Sequence, residues 1–166
     1  MRLFFALTFD EQSRQRLAAL GSALQTGRTV PQPLIHLTLL FLGEVDHHYL
    51  DDLKAIVVRL PPPPASLSVT HLGSFERGRS SIVWAAVTPQ APLLTLHQQI
   101  SEEVERVGLP FDRKRFVPHI TLARKVAEEL QPLTQPFILY PNSVSLIHSH
   151  SERETLTYTP LISSVL

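Results

Sequence analysis

The chain has 166 residues, of which 43% are hydrophobic and 18% are charged. This composition is typical of one soluble domain and is too apolar for a disordered chain. Fifteen basic residues balance fifteen acidic ones, which argues against electrostatic binding of duplex nucleic acid over a broad surface. The absence of cysteine excludes disulfides and thiolate metal sites. No apolar run is long enough for a membrane helix and no signal peptide precedes the first elements, so we expect a cytoplasmic protein.

The first half of the chain predicts two strands and two helices. Apolar runs predict the strands, and apolar residues spaced three or four apart predict the helices. In chain order they are a strand over Arg2–Phe9, a helix capped by Asp10, a strand over Leu34–Leu42, and a helix capped by Asp46 and ended by the prolines at 61–64.

The second half repeats this alternation and adds strands. In chain order we predict strands over Ser66–Leu72 and Ser80–Val87 around a turn at Arg77-Gly78, a helix over Pro92–Val107, a strand over Phe116–Leu122, and a closing hairpin formed by Phe137–Tyr140 with Ser143–His148 and by Thr155–Leu161.

The order strand, helix, strand therefore occurs twice, and the last strand of each unit carries the same tetrapeptide type. His36-Leu37-Thr38-Leu39 and His119-Ile120-Thr121-Leu122 lie 83 residues apart, half the length of the chain. An internal repeat of this kind predicts two similar lobes.

Strand geometry separates each tetrapeptide into an apolar face and a polar face, because alternate residues of a strand point the same way. His36 and Thr38 share one face, and His119 and Thr121 share the equivalent face of the second unit. If an approximate two-fold axis relates the lobes, these polar faces meet across a groove that holds two imidazoles and two hydroxyls.

Two imidazoles and two hydroxyls suit phosphoryl transfer that needs no metal or other cofactor. With an unperturbed pKa of about 6.5, one histidine can take a proton from water while the other gives a proton to the leaving oxygen. The hydroxyls can donate to phosphate oxygens, and an arginine can neutralise developing charge. Arg124 is the nearest arginine, but strict alternation places it on the face opposite Thr121.

The other polar features are weaker. His148 and His150 would share a strand face as a possible metal pair, but no third ligand is near them in sequence. The basic run Arg113–Arg115 could contact an RNA backbone, although a solvated loop is the default. We expect Trp84 to be a core residue rather than a base-stacking platform.

Four stretches of the chain resemble the two-histidine (2H) phosphoesterases, specifically their bacterial and archaeal RNA 2′,3′-cyclic phosphodiesterases, also described as 2′-5′ RNA ligases. The stretches are RLFFAL from Arg2, IHLTLLFLG from Ile35, FVPHITLAR from Phe116 and YTPL from Tyr158. The resemblance implies an α+β fold in which residues 1–166 form one bilobal domain. Each lobe has an antiparallel sheet with outer helices, and the active site lies in the groove between them.

The resemblance also implies roles for six residues. His36 and His119 are the catalytic pair, which we assign as proton donor to the leaving oxygen and proton acceptor from water, respectively. Thr38 and Thr121 bind the phosphate, and Phe41 and Arg124 face the substrate. The chain departs from its relatives near the C-terminus: they often carry a glycine turn, whereas residues 150–157 contain no glycine.

The expected partner is RNA that ends in a 2′,3′-cyclic phosphate, or a small cyclic nucleotide, with no membrane partner and with the protein as a monomer. Two alternatives stay open. The substrate could be a 2′-5′ linkage or a small cyclic phosphate, or the protein could be an RNA-end-binding module with little turnover. The intact histidines argue against a pure binder, which needs only the threonines and the arginine.

Overall fold

The computed structural model describes residues 1–165 and contains three α-helices and nine strands within that range. The helices are α1 (Glu11–Ser22), α2 (Leu50–Arg59) and α3 (Ala91–Val107). The strands are β1 (Arg2–Phe9), β2 (Arg28–Thr29), β3 (Leu37–Glu44), β4 (Leu67–Arg77), β5 (Ser80–Val87), β6 (His119–Val126), β7 (Phe137–Leu139), β8 (Pro141–Glu152) and β9 (Thr155–Val165). None of the helices in this range has both the length and the hydropathy to cross a bilayer.

The strands form two antiparallel sheets, in the orders β3-β1-β8-β9 and β2-β6-β5-β4-β7. The α+β class with an antiparallel sheet in each lobe is therefore confirmed. The repeat is visible in the pairing: β1 is followed by α1 and pairs with β3, just as β5 is followed by α3 and pairs with β6. The strands that carry the two tetrapeptides thus occupy equivalent positions.

One apolar cluster draws on both sheets and all three helices. It includes Phe5 of β1, Leu17 of α1, Ile56 of α2, Ala85 of β5 and Leu96 of α3, each with no exposed surface. The predicted cap of α1 is also present, because the Asp10 carboxylate accepts a hydrogen bond of 2.8 Å from the Ser13 amide. Burial of the helices against the sheets holds the two lobes around a common interior.

Three element predictions are corrected, and proline explains two of them. The second strand begins at Leu37 because the prolines at 31 and 33 favour a 3-10 turn over Gln32–Leu34. The strand predicted from Phe116 begins at His119, directly after Pro118, whose ring nitrogen has no proton to donate to a ladder. The predicted closing hairpin is wrong in part: β8 and β9 form it, whereas β7 pairs with β4 in the other sheet.

Candidate active site

A cavity of about 550 Å³ opens between the two lobes and brings together most of the site residues predicted from the sequence. We call it the groove. Its described lining comprises Arg2, Phe4, Arg28, Thr29, Val30, Pro31, Leu34, His36, Thr38, Phe41, Thr121, Arg124, Lys125, Ser149, Leu156 and Tyr158. His119 does not line this cavity, but it lies close enough for its charge to lower the pKa of His36.

His36 precedes β3 and is fixed by two hydrogen-bonding contacts and two aromatic rings. Its Nδ1 donates to the Leu34 carbonyl over 2.7 Å, and its Nε2 lies 3.0 Å from the Thr38 hydroxyl. The Phe4 ring centroid is 4.9 Å from the imidazole, and the Tyr158 ring meets it edge-on at 5.4 Å. The carbonyl accepts the Nδ1 proton, so Nε2 is the nitrogen that remains for acid–base chemistry.

His119 repeats the backbone contact of His36. Its Nδ1 donates to the Val117 carbonyl over 2.7 Å, again two residues upstream. The rings beside it are Phe75, edge-on at 5.5 Å, and Trp84 at 5.8 Å. Trp84 is half-buried and packs over Gly73, where an added Cβ would lie 2.3 Å from the indole ring. Because Nδ1 donates to a backbone carbonyl in both His36 and His119, the two neutral rings have the same tautomer.

The electrostatic environment shifts the pKa of His36 and that of Tyr158. Burial lowers the pKa of His36; the hydrogen bond to the Leu34 carbonyl opposes this shift, and the nearby charges of Arg124 and His119 add to it. Burial raises the pKa of Tyr158, against the opposing effect of Arg124 and Arg2. In the free protein His36 is thus predominantly neutral near neutral pH, and the phenol of Tyr158 keeps its proton.

The two site strands contain equivalent β-bulges. Thr38 pairs with Ala6 while Leu40 pairs with Phe5, which leaves Leu39 as an extra residue in β3. In β6, Thr121 pairs with Trp84 and Ala123 with Val83, which leaves Leu122 as the extra residue. Because a bulge inserts one extra residue, the residues that follow it point to the opposite face from the one that strict alternation predicts.

These bulges correct the expectation of strict alternation. Leu39 and Leu40 are both buried, and so are Leu122 and Ala123. The third residue after each motif threonine therefore points back to the polar face, and both Phe41 and Arg124 line the groove. The placement implied by the resemblance is present, and the parity argument against Arg124 is wrong.

Eleven further residues that line the groove were not singled out from the sequence, among them Arg2, Phe4, Arg28, Lys125 and Tyr158. Arg2, Phe4 and Tyr158 lie inside stretches that carry the family resemblance, so the sequence marked their positions but not their contacts. Arg2 lies over the Phe41 ring, 4.9 Å from its centroid. No sequence pattern marked Arg28 or Lys125, since their approach depends on the pairing of β2 with β6.

Two weaker candidates lie elsewhere. Arg113 pairs with Glu105 at 3.3 Å and Lys114 with Asp112 at 3.4 Å, and the run 113–115 does not line the groove. His148 and His150 share a face of β8 and stack with centroids 4.6 Å apart. Within residues 1–165, no group of three or more His, Asp or Glu side chains is placed to hold a metal ion.

Comparison with known proteins agrees with this geometry. The chain is 30% identical to the RNA 2′,3′-cyclic phosphodiesterase of Thermotoga maritima, over 100% of this chain and 93% of that protein. The fold matches a crystal structure from Thermus thermophilus with a TM-score of 0.86 and 27% identity, over 100% and 98% of the two chains. It also matches Escherichia coli LigT complexed with 3′-AMP, with a TM-score of 0.77 and 28% identity, over 99% and 97%.

A family model accounts for most of the chain. The model described as the 2′-5′ RNA ligase superfamily matches residues 9–148, a span that contains both tetrapeptides, both bulges and every helix. Together with the Thermotoga relative, this match shows that the chain belongs to the 2′-5′ RNA ligase superfamily.

Proposed function

We propose that this protein hydrolyses the 2′,3′-cyclic phosphate at the end of an RNA and leaves a 2′-phosphate. The observation that carries the proposal is the matched pair of histidines, each with Nδ1 tied to a backbone carbonyl two residues upstream. The relatives from Thermotoga maritima and Escherichia coli are named RNA 2′,3′-cyclic phosphodiesterases, and the activity in their name is the one proposed here.

The proposed reaction is a single in-line displacement at phosphorus. His119 takes a proton from water as the water oxygen bonds to phosphorus, the bond between phosphorus and the 3′ oxygen breaks, and His36 gives its proton to that oxygen. The products are a 2′-phosphomonoester and a free 3′ hydroxyl, and the proton on His119 returns to His36 through solvent. Each proton transfer contributes about 10²- to 10⁴-fold in rate.

The lowered pKa of His36 bears directly on this assignment. An acid must carry its proton before the reaction, whereas burial disfavours the protonated form of His36 in the free protein. The substrate phosphate supplies the missing stabilisation, because an anion beside the ring favours the imidazolium. In the free protein the same pKa shift favours the reverse polarity, with His36 as the base. A substrate with sulfur in place of the leaving oxygen distinguishes the two assignments.

The remaining residues bind rather than move protons. Thr38 and Thr121 donate their hydroxyl protons to non-bridging phosphate oxygens, and Arg124 neutralises the charge that develops on them. Phe41 is 45% exposed at the groove and offers a ring face to the terminal nucleoside. No cofactor is required in this scheme.

A 2′-5′ ligation is the second candidate, favoured by the superfamily to which the chain belongs. In that reaction a 5′ hydroxyl takes the place of water, so the same two histidines serve. A pure RNA-end-binding module is the non-enzymatic alternative, and a small cyclic nucleotide is the alternative substrate.

The test uses a short RNA ending in 2′,3′-cyclic phosphate, with the product followed by ³¹P NMR. We expect conversion to the 2′-phosphate, and a 5′-hydroxyl oligonucleotide added in excess shows whether a 2′-5′ linkage forms instead. RNA that is retained on the protein with its cyclic phosphate intact would overturn the proposal in favour of the binding module.

The acid is identified with a substrate that carries sulfur in place of the 3′ leaving oxygen. A thiolate leaves without protonation, so the loss caused by His36→Ala should nearly disappear with this substrate. The loss caused by His119→Ala should persist, because the base is still needed. The opposite pattern would exchange the two roles.

A further inference from the structure

Three cationic side chains gather on one rim of the groove. Arg28 of β2 lies directly opposite Arg124 of β6 in the antiparallel pair, and Lys125 follows Arg124. All three are exposed, and all three line the groove. We call Arg28, Arg124 and Lys125 the cationic rim.

The charge of the cationic rim is not neutralised by the protein. Among the described residues that line the groove there is no Asp or Glu, and no ion pair within residues 1–165 involves any of the three cations. Like charges directly opposite each other in a sheet are destabilising. In the run 113–115, by contrast, Arg113 and Lys114 are both paired with acids.

The backbone that carries these side chains is held in an unusual conformation. Lys125 has a φ of 56°, a left-handed value that is strained for a residue with a Cβ. The facing Gly27 has a φ of 84°, and a Cβ there would lie 2.5 Å from the Arg124 carbonyl oxygen. Close approach of the two segments therefore requires glycine at position 27.

A hydrogen-bonded clamp fixes this approach. The Glu128 carboxylate accepts from the amides of Gln25 and Thr26 at 2.8 and 2.7 Å, and from the Thr26 hydroxyl at 2.7 Å. The Ala127 amide in turn donates to the Thr26 hydroxyl oxygen over 2.9 Å. These bonds hold the loop that bears Arg28 against the segment that bears Lys125. Strain of this kind is found where the surrounding structure fixes a functional arrangement.

We propose that Arg28 and Lys125 form a second anion subsite, which binds the phosphodiester on the 5′ side of the terminal nucleotide. The substrate class is then an oligonucleotide rather than a cyclic mononucleotide. The inference rests on the function proposed above, in which the cyclic phosphate lies between the motif threonines beside Arg124. Arg28 and Lys125 are unpaired cations that lie beside Arg124 on the same rim, and such a pair suits the next phosphate of the chain.

The test compares three substrates on the full chain. They are a dinucleotide ending in 2′,3′-cyclic phosphate, the same dinucleotide with a neutral methylphosphonate between its nucleosides, and the cyclic mononucleotide. The variants are Arg28→Gln and Lys125→Gln, which remove charge and keep length. Arg79→Gln in the exposed β4–β5 turn and Lys114→Gln are the matched controls.

We expect the parent protein to prefer the charged dinucleotide over the methylphosphonate by about tenfold or more in kcat/KM, the scale of one charge-assisted contact. Arg28→Gln and Lys125→Gln should each reduce this preference severalfold, mainly through KM, and should flatten the salt dependence of KM. The controls should retain the parent's preference. Circular dichroism verifies that each variant is folded.

Equal rates of the parent on the charged and neutral dinucleotides would overturn the subsite, as would variants that slow all three substrates by the same factor. If the parent hydrolyses none of them, the proposed function fails instead. Calorimetric binding of the charged and methylphosphonate dinucleotides then still decides whether the subsite exists.

Discussion

Nε2 of His36 lies 3.0 Å from the hydroxyl oxygen of Thr38, while Nδ1 of the same ring donates to the Leu34 carbonyl. In the neutral ring Nε2 accepts the hydroxyl proton of Thr38. Once Nε2 is protonated it donates to that oxygen instead, which leaves the hydroxyl proton of Thr38 available for the phosphate oxygen proposed as its partner. The protonation of His36 is therefore coupled to the proposed phosphate contact of Thr38.

Valine substitutions at the two motif threonines test their proposed role. Thr38→Val and Thr121→Val keep the β-branched shape and delete only the hydroxyl. We expect each to lower kcat/KM by the equivalent of about 1–3 kcal/mol, the value of one charge-assisted hydrogen bond, with folding retained. The pH–rate profile should move little, because Thr38 contacts both protonation states of His36.

Two outcomes would contradict this role. Unchanged kcat/KM in both valine variants would make the threonines structural. A large displacement of either limb of the pH–rate profile would show that the hydroxyls set the histidine pKa values. Thr8→Val, outside the groove, is the control for the substitution itself.

The pKa of His36 gives a second prediction. Because burial disfavours the imidazolium, the ring should titrate below 6.5 in the phosphate-free protein. It therefore stays neutral as pH falls past the value at which an exposed histidine gains its proton. Added inorganic phosphate should raise the pKa of His36, since an anion stabilises the protonated ring.

NMR titration of the imidazole Cε1 protons measures both effects, and His36→Gln identifies the resonance. A pKa at or above 6.5 without phosphate would contradict the stated burial effect. A phosphate-independent pKa would remove the proposed route by which His36 becomes an acid.

The β8–β9 turn gives a prediction about stability. Its two central residues, Arg153 and Glu154, have φ values of 48° and 66°, so the hairpin closes without the glycine that such turns favour. Replacing the pair with Asn-Gly should raise the free energy of unfolding by about 1 kcal/mol, because glycine adopts left-handed φ without the Cβ penalty.

Chemical denaturation measures this change. Glu152→Gly, placed within β8, is the control and should lower stability. An Asn-Gly variant no more stable than the parent would show that the left-handed turn carries no strain.

Metal independence is a fourth prediction. The proposed proton transfers use only imidazole nitrogens, so hydrolysis should continue in excess EDTA and without ATP. Activity that vanishes with EDTA and returns on addition of one divalent ion would show that the scheme lacks an essential component. The comparison needs only the parent protein and a cyclic-phosphate-ended oligonucleotide.

Sequence periodicity was sufficient to predict the alternation of buried and polar residues within each tetrapeptide. Leu37 and Ile120 are fully buried, while His36, Thr38 and Thr121 are half-buried. Periodicity failed just beyond the threonines, because a bulge depends on how the neighbouring strand pairs and leaves no mark in the strand's own residues. The positions of Phe41 and Arg124 were available only from the family resemblance.

The cationic rim could not be predicted from the sequence, for a related reason. Arg28 is separated from Lys125 by almost a hundred residues, and they meet through the short β2–β6 pair and the Glu128 clamp. Local charge density marked Arg113–Arg115 as a possible RNA contact, with a solvated loop as the default, and Arg113 and Lys114 are paired with acids. Charge counted along the chain does not report which cations remain unpaired in three dimensions.

The central claim is that His36 and His119 act as one acid–base unit, and single-turnover kinetics of His36→Ala, His119→Ala and the double variant test it most directly. On a cyclic-phosphate-ended RNA, each single variant should lose about 10²- to 10⁴-fold in rate, and the double variant should be scarcely slower than either. A variant that lacks one histidine and loses only a fewfold in rate would contradict the claim.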